Sequence, residues 1–153
     1  MSSRLSTADR GGGALIGGLN YFILRRMPLA EDQVTSRYRI SAYGENSVTV
    51  NEVVYRQSLV LTAEEILSPW EVSSLDQLNA QTLEPVLALQ PAVVLLGTGA
   101  RQRFPTAEVM AYFGQRGIGL EVMDNGALCR TFNILIAEDR AVVAAILIGS
   151  SDE

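Results

Sequence analysis

Hydrophobic and polar positions begin to alternate after Arg37. Tyr38, Ile40 and Ala42 fall on one face, Gly44-Glu45-Asn46 supplies turn chemistry, and Val48 and Val50 resume the beat, which predicts a β-hairpin. The apolar residues 58–61 predict a third strand. Thr62 then reads as the cap of a short helical stretch over residues 64–67, ended by Pro69.

Residues 72–90 are helical in tendency but interrupted. Ser74 and Gln77 stand in capping-box spacing, and Thr82 is placed to cap a second piece in which Pro85 occupies the tolerated first turn. Residues 92–96 form an unbroken apolar run, the pattern of a strand covered on both faces, closed by Gly97-Thr98-Gly99. Pro105 then marks a helix start, with Val109, Met110 and Phe113 on one stripe and Gly117 as C-cap before a strand over residues 118–122. After Gly126 a helix packs Leu128, Phe132 and Leu135 and runs to Ala137; Glu138-Asp139 then turns the chain into an apolar strand over residues 141–148. The second half thus reads β-α-β-α-β, an α/β arrangement whose crossovers cover both faces of a parallel or mixed sheet. No internal repeat is evident.

Residues 1–30 differ from the rest. They hold Gly11, Gly12, Gly13, Gly17 and Gly18, with Asp9 alone among Arg4, Arg10, Arg25 and Arg26, and read as a loose glycine-rich leader before a single domain over residues 31–153. The apolar residues 14–24 are interrupted by Gly17-Gly18 and Asn20 and are too short to span a bilayer, so no transmembrane segment is expected. Arg25 and Arg26 follow the apolar run instead of preceding it, unlike a secretory signal. A cytoplasmic location follows, with a mitochondrial one as the alternative if residues 1–30 are a transit peptide.

Composition narrows the chemistry. The 153 residues are 48% hydrophobic and 19% charged, in keeping with one compact domain. Histidine is absent and all 12 basic residues are arginine, which removes an imidazole base, a lysine Schiff base and a Walker lysine together. Cys129 is the only cysteine, so there is no disulfide, CxxC pair or thiolate cage; neither a metal nor another cofactor is expected. A net charge of -5 argues against a nucleic-acid partner.

The segments VVLLGTG, GIGLEVMDNGALCRTFNIL and EDRAVVAAIL resemble the Mth938-like domain family, which includes the mitochondrial assembly factor 3 of respiratory complex I and the adipogenesis-associated Mth938-domain protein. The most specific landmarks are Gly97-Thr98-Gly99, Gly117-Ile118, Met123 and the stretch from Ala127 to Asn133. The resemblance implies a compact three-layer α/β domain with a mixed central sheet plus an N-terminal β-hairpin, and it implies no established enzymatic activity. Relatives usually carry threonine where this chain has Asn125 and often alanine where it has Leu128.

In such a sheet, ligands favour the crevice at the carboxyl ends of the strands, where Gly97-Thr98-Gly99 and Asp124-Asn125-Gly126 should emerge. Gly97, Thr98 and Gly99, with Arg101 and the helix N-termini, suit an anion; the alternative is a purely structural turn. Asp124 and Asn125 either cap the following helix or face a ligand. Cys129 lies early in that helix beside Arg130, a setting that lowers a thiol pKa, although a lone cysteine often packs as a small hydrophobe. Asn133, one turn on, faces the same crevice or cross-links backbone. Trp70 is either a buried anchor or an exposed contact for a partner. Two functions follow: a non-catalytic binding or accessory protein aiding assembly through a protein partner, or a small-molecule enzyme or sensor with an anionic ligand at the sheet edge. Oligomeric state is not legible.

Overall fold

The structure, a computed structural model, describes residues 37–149; the leader expected over residues 1–30 lies outside the described residues. Its first elements are three antiparallel strands, β1 (Ile40–Gly44), β2 (Ser47–Val50) and β3 (Val53–Tyr55), forming a sheet of their own in that order. The β1-β2 hairpin turns at Glu45-Asn46, but an irregularity between Ile40 and Ala42 breaks the alternation. Ile40 is therefore buried while Ala42, expected on the same face, is exposed. Strand β3 was not legible because its turn is made by Asn51 and Glu52 at φ 49° and 74°, left-handed residues in a turn without glycine.

A five-stranded mixed sheet forms the centre. Its strands are β4 (Leu59–Leu61), β5 (Ile66–Leu67), β6 (Val93–Gly97), β7 (Gly119–Met123) and β8 (Val142–Ile146), in the spatial order β5-β4-β8-β6-β7. β6 runs parallel to β7 and β8, and β4 runs antiparallel to β5 and β8. The expected helix over residues 64–67 is not formed. Thr62 Oγ1 instead accepts the N–H groups of Glu64 and Glu65, folding a tight turn that brings Ile66 and Leu67 back against β4.

Among the described residues, three α-helices complete the architecture: α1 (Ala80–Leu87), α2 (Ala107–Gln115) and α3 (Asn125–Ala137). Asn79, not Thr82, caps α1; Thr82 is the return partner of the capping box, its Oγ1 accepting the Asn79 N–H at 2.9 Å. Pro85 accordingly lies inside the helix and not in its first turn. Gly117 adopts φ 68° after α2, the left-handed close expected of it.

Alternate residues of the central strands feed two cores. Leu59, Leu61, Leu95, Ala144 and Ile146 pack with Leu128, Phe132 and Ile136 of α3 and with Ile40, Val48 and Val50 of the small sheet. Val60, Val94, Leu96, Val143 and Ala145 face the other way, onto Leu83 and Val86 of α1, Val109 and Phe113 of α2, and Trp70. Met110, expected on the buried stripe of α2, is exposed. The layers are thus α3 with the small sheet, the central sheet, and α1 with α2.

Candidate functional site

Both late turns reach one rim, where the main chain of each holds the other. Asn125 donates its N–H to the Gly99 carbonyl at 2.8 Å, and Thr98 donates its N–H to the Met123 carbonyl at 3.0 Å. The Asn125 carboxamide ties in a third strand end: Oδ1 accepts the Gly99 N–H at 3.1 Å and Nδ2 donates to the Leu147 carbonyl at 3.0 Å. The Leu147 N–H returns to the Gly97 carbonyl at 2.9 Å. Asn125 is buried, and its bonds join the ends of β6, β7 and β8.

This clamp explains Gly97. A Cβ there would run into Asn125 Oδ1 and stand 3.0 Å from Leu128 Cδ1, so the close approach requires glycine. Gly99, at φ 102°, serves backbone geometry. Thr98 is buried; its Oγ1 donates to the Arg101 carbonyl at 2.7 Å and accepts the Arg103 N–H at 3.1 Å, holding the start of the loop that carries both arginines.

Helix termini contribute less than expected. Residues 100–106 separate the glycine turn from α2, whose N-terminus is capped by Thr106. Asp124 caps α3, accepting the Ala127 N–H at 2.8 Å, so the positive end of that helix already faces a carboxylate from its own chain.

Cys129 is buried, and burial pushes its thiol up to about 11, against the pull of the neighbouring Arg130. Desolvation outweighs the cation and leaves a protonated thiol at neutral pH, opposite to the activation that helix position and Arg130 predict. Asn133 is committed to β1: Oδ1 accepts the Ile40 N–H at 3.0 Å and Nδ2 donates to the Ile40 carbonyl at 2.7 Å, as a neighbouring strand would. Trp70 is buried, its indole N–H donating to the Thr82 carbonyl at 3.0 Å.

Two depressions flank Gly99 and Ala100. One, of about 100 Å³, is bordered by Arg101, Arg103, Ser73, Ser74 and Glu45. The other, of about 460 Å³, is bordered by Tyr43, Glu45, Asp124, Gly126 and Arg130. Arg130 donates from Nη1 to the Tyr43 hydroxyl at 3.2 Å. Sequence reasoning missed Tyr43, Glu45 and Ser73, because the hairpin and the segment before α1 reach the rim only through the tertiary fold. Among the described residues, no cluster of acidic or cysteine side chains is placed to hold a metal ion, and no helix is long and apolar enough to cross a membrane.

Residues 40–147 match the family described as "Protein of unknown function (DUF498/DUF598)". The chain is 25% identical over 122 residues to the "13 kDa major membrane protein" of Francisella tularensis subsp. holarctica, covering 79% of this chain and 99% of that protein. It is 39% identical over 80 residues to the "NADH dehydrogenase [ubiquinone] 1 alpha subcomplex assembly factor 3" of Danio rerio, covering 51% of this chain and 46% of the relative. The NMR structure of Xanthomonas campestris XCC1710 is similar at 42% identity and a TM-score of 0.71, covering 83% of this chain and 96% of that one. The solution structure of a Bordetella pertussis protein described as a Mth938-like domain is similar at 27% identity and a TM-score of 0.65, over 83% and 94% of the two chains. With its layered sheet, its glycine turn and the match over residues 40–147, the chain belongs to the DUF498/DUF598 family of Mth938-like domains.

Proposed function

We propose that the protein is a non-catalytic accessory or assembly factor that works by binding a protein partner. The observation carrying this reading is how the buried polar groups of the rim are used. Thr98 and Asn125 are committed to backbone, and the Cys129 thiol is buried and protonated. Around them the rim is lined by Arg101, Arg130 and Tyr43 together with Glu45 and Asp124, and the arginine and tyrosine side chains suit recognition of a partner. The names of the relatives that are complex I assembly factors support the same role.

Affinity purification of the tagged chain from its native host, under mild conditions and with stoichiometry measured, tests the reading. A partner recovered in fixed ratio is expected; isolation as a free chain across conditions overturns it. A cytoplasmic location belongs to the same reading. Fractionation with immunodetection checks it: recovery in the soluble fraction is expected, and recovery with membranes overturns it.

A further inference from the structure

We infer that strand β3 is a self-association edge: it pairs antiparallel, across a two-fold axis at Val54, with β3 of a second copy of this chain and joins the two small sheets into one of six strands.

The main chain decides which groups are on offer. Asn51 and Glu52, both at positive φ, make a two-residue turn, and the strands leave it with Val50 opposite Val53, Thr49 opposite Val54 and Val48 opposite Tyr55. Such a turn closes on a hydrogen-bonded pair, so Val53 and Tyr55 direct their main-chain groups at β2, and Val54 points its N–H and C=O away from the sheet. The Asn51 N–H, which donates to the Arg39 carbonyl on the β1 side, has the phase that this alternation requires. Among the described residues, nothing bonds to the outward main chain of Val54.

Other edges of the fold are guarded. At the opposite border of the small sheet Asn133 takes both main-chain groups of Ile40, and at the β7 edge of the central sheet Gln102 Nε2 donates to the Val122 carbonyl at 2.9 Å. Strand β3 has no such guard, and its sequence, VVY, holds no charge, proline or glycine. Val53 and Tyr55 lie on the face that buries Val48 and Val50, yet Val53 is 53% exposed because the layer ends there; Val54, on the other face, is 48% exposed.

Charge selects the occupant. With Val54 opposite Val54, the antiparallel register sets Val53 of each copy against Tyr55 of the other, which extends the buried face, and Glu52 of each against Arg56 of the other. Glu52 and Arg56 are both exposed, and among the described residues neither has an ion-pair partner. A second copy supplies both opposite-charge pairs by symmetry, and the contact closes after two chains. Three strand residues from each copy bury less than an ordinary stable interface, so the pairing is reversible, with a dissociation constant on the order of 100 µM.

Sedimentation equilibrium of the full chain from about 10 µM to about 1 mM tests this, and a monomer-dimer equilibrium is expected. Glu52→Arg and Arg56→Glu each set like charges opposite one another at both ends of the pairing, and each should weaken the dimer roughly tenfold. An equimolar mixture of the two variants restores opposite charges and should associate at least as tightly as the natural chain. Arg116→Glu, at the end of α2 on the other face of the central sheet, makes the same change in net charge as Arg56→Glu and should leave the dimer unchanged. Hydrogen exchange at the Val54 amide should slow as the dimer forms. A monomer at every concentration, variants that associate like the natural chain, a mixture no tighter than either variant alone, or growth beyond the dimer overturns the inference. Equal protection of the Val54 amide at the lowest and highest concentrations also overturns it, because the edge would then be covered within a single chain.

Discussion

Asn125 holds Leu147: its Nδ2 donates to the Leu147 carbonyl at 3.0 Å, from a side chain whose Oδ1 already accepts the Gly99 N–H. Strand β7 ends just before Asn125, β8 just before Leu147, and β6 at Gly97, two residues before Gly99. One carboxamide therefore fastens three parallel strand ends that would otherwise leave buried main-chain groups without partners.

Asn125→Ala should accordingly cost about 2–6 kcal/mol, since it strands one part-buried donor and one buried acceptor at about 1–3 kcal/mol each. Urea unfolding monitored by circular dichroism measures it. Asn125→Asp should do no better, because it keeps the acceptor but buries a charge and loses the donor to Leu147.

Two glycines should respond in opposite directions to the same substitution. Gly97→Ala drives a methyl into the Asn125 carboxamide and towards Leu128, and a loss of about 1–3 kcal/mol is expected from the overpacked rim. Gly114 lies near the end of α2 with nothing within 4 Å of an added Cβ. Gly114→Ala should therefore stabilise by about 0.5–1 kcal/mol through helix propensity. Paired thermal melts decide both, and equal signs would refute this account of Gly97.

What the sequence revealed follows from the range of the interactions involved. The apolar runs of β6 and β8 announce buried parallel strands, because both faces of each strand meet helix or sheet side chains and every position is apolar. The glycine turn was legible as a turn. Its reason was not, since the atom that Gly97 must avoid belongs to Asn125 on another element. Asn133 is similar: its partner Ile40 is 93 residues away, so spacing on α3 left a crevice-facing group and a backbone cross-link both open, and the fold uses the cross-link. Cys129 packs as the small hydrophobe the sequence also allowed, because the local signals for activation, a helix start and an arginine, are weaker than the desolvation that the packed core imposes.

Cys129 makes stability depend on pH in a defined window. Its pKa is raised from the 9.0 of an unperturbed thiol to about 11 in the fold, so above pH 9 the unfolded chain releases a proton that the native state retains. The contribution is fully present below pH 9, is lost as pH rises from 9 to 11, and amounts to about 2–3 kcal/mol. Subtracting the profile of Cys129→Ala from that of the natural chain isolates it from tyrosine titration. At pH 8 the native thiol should also resist iodoacetamide until denaturant is added.

Asn133→Ala should loosen one side of the molecule more than the other. Its two bonds to Ile40 attach β1 to α3, and their loss should cost about 1–3 kcal/mol. Hydrogen exchange should speed up at Ile40 and along the β1-β2 hairpin by more than at Val94 or Val143 in the central sheet. Uniform acceleration would mean that the small sheet unfolds only with the rest.

Tyr43 and Gly126 give the last test, a coupling whose sign is set by geometry. A Cβ on Gly126 would stand 2.9 Å from the Tyr43 hydroxyl and 3.0 Å from its ring carbon Cζ. These are the outer atoms of a half-exposed side chain, so Gly126→Ala should swing the ring aside and break its bond to Arg130 instead of distorting α3. In the natural chain the helix-propensity gain of up to about 1 kcal/mol is offset by that loss. Once Tyr43→Ala has removed the ring, the same glycine substitution should stabilise by about 0.5–1 kcal/mol more than it does alone. A double-mutant cycle reads the difference, and additivity would show that the ring and the helix start do not touch in solution.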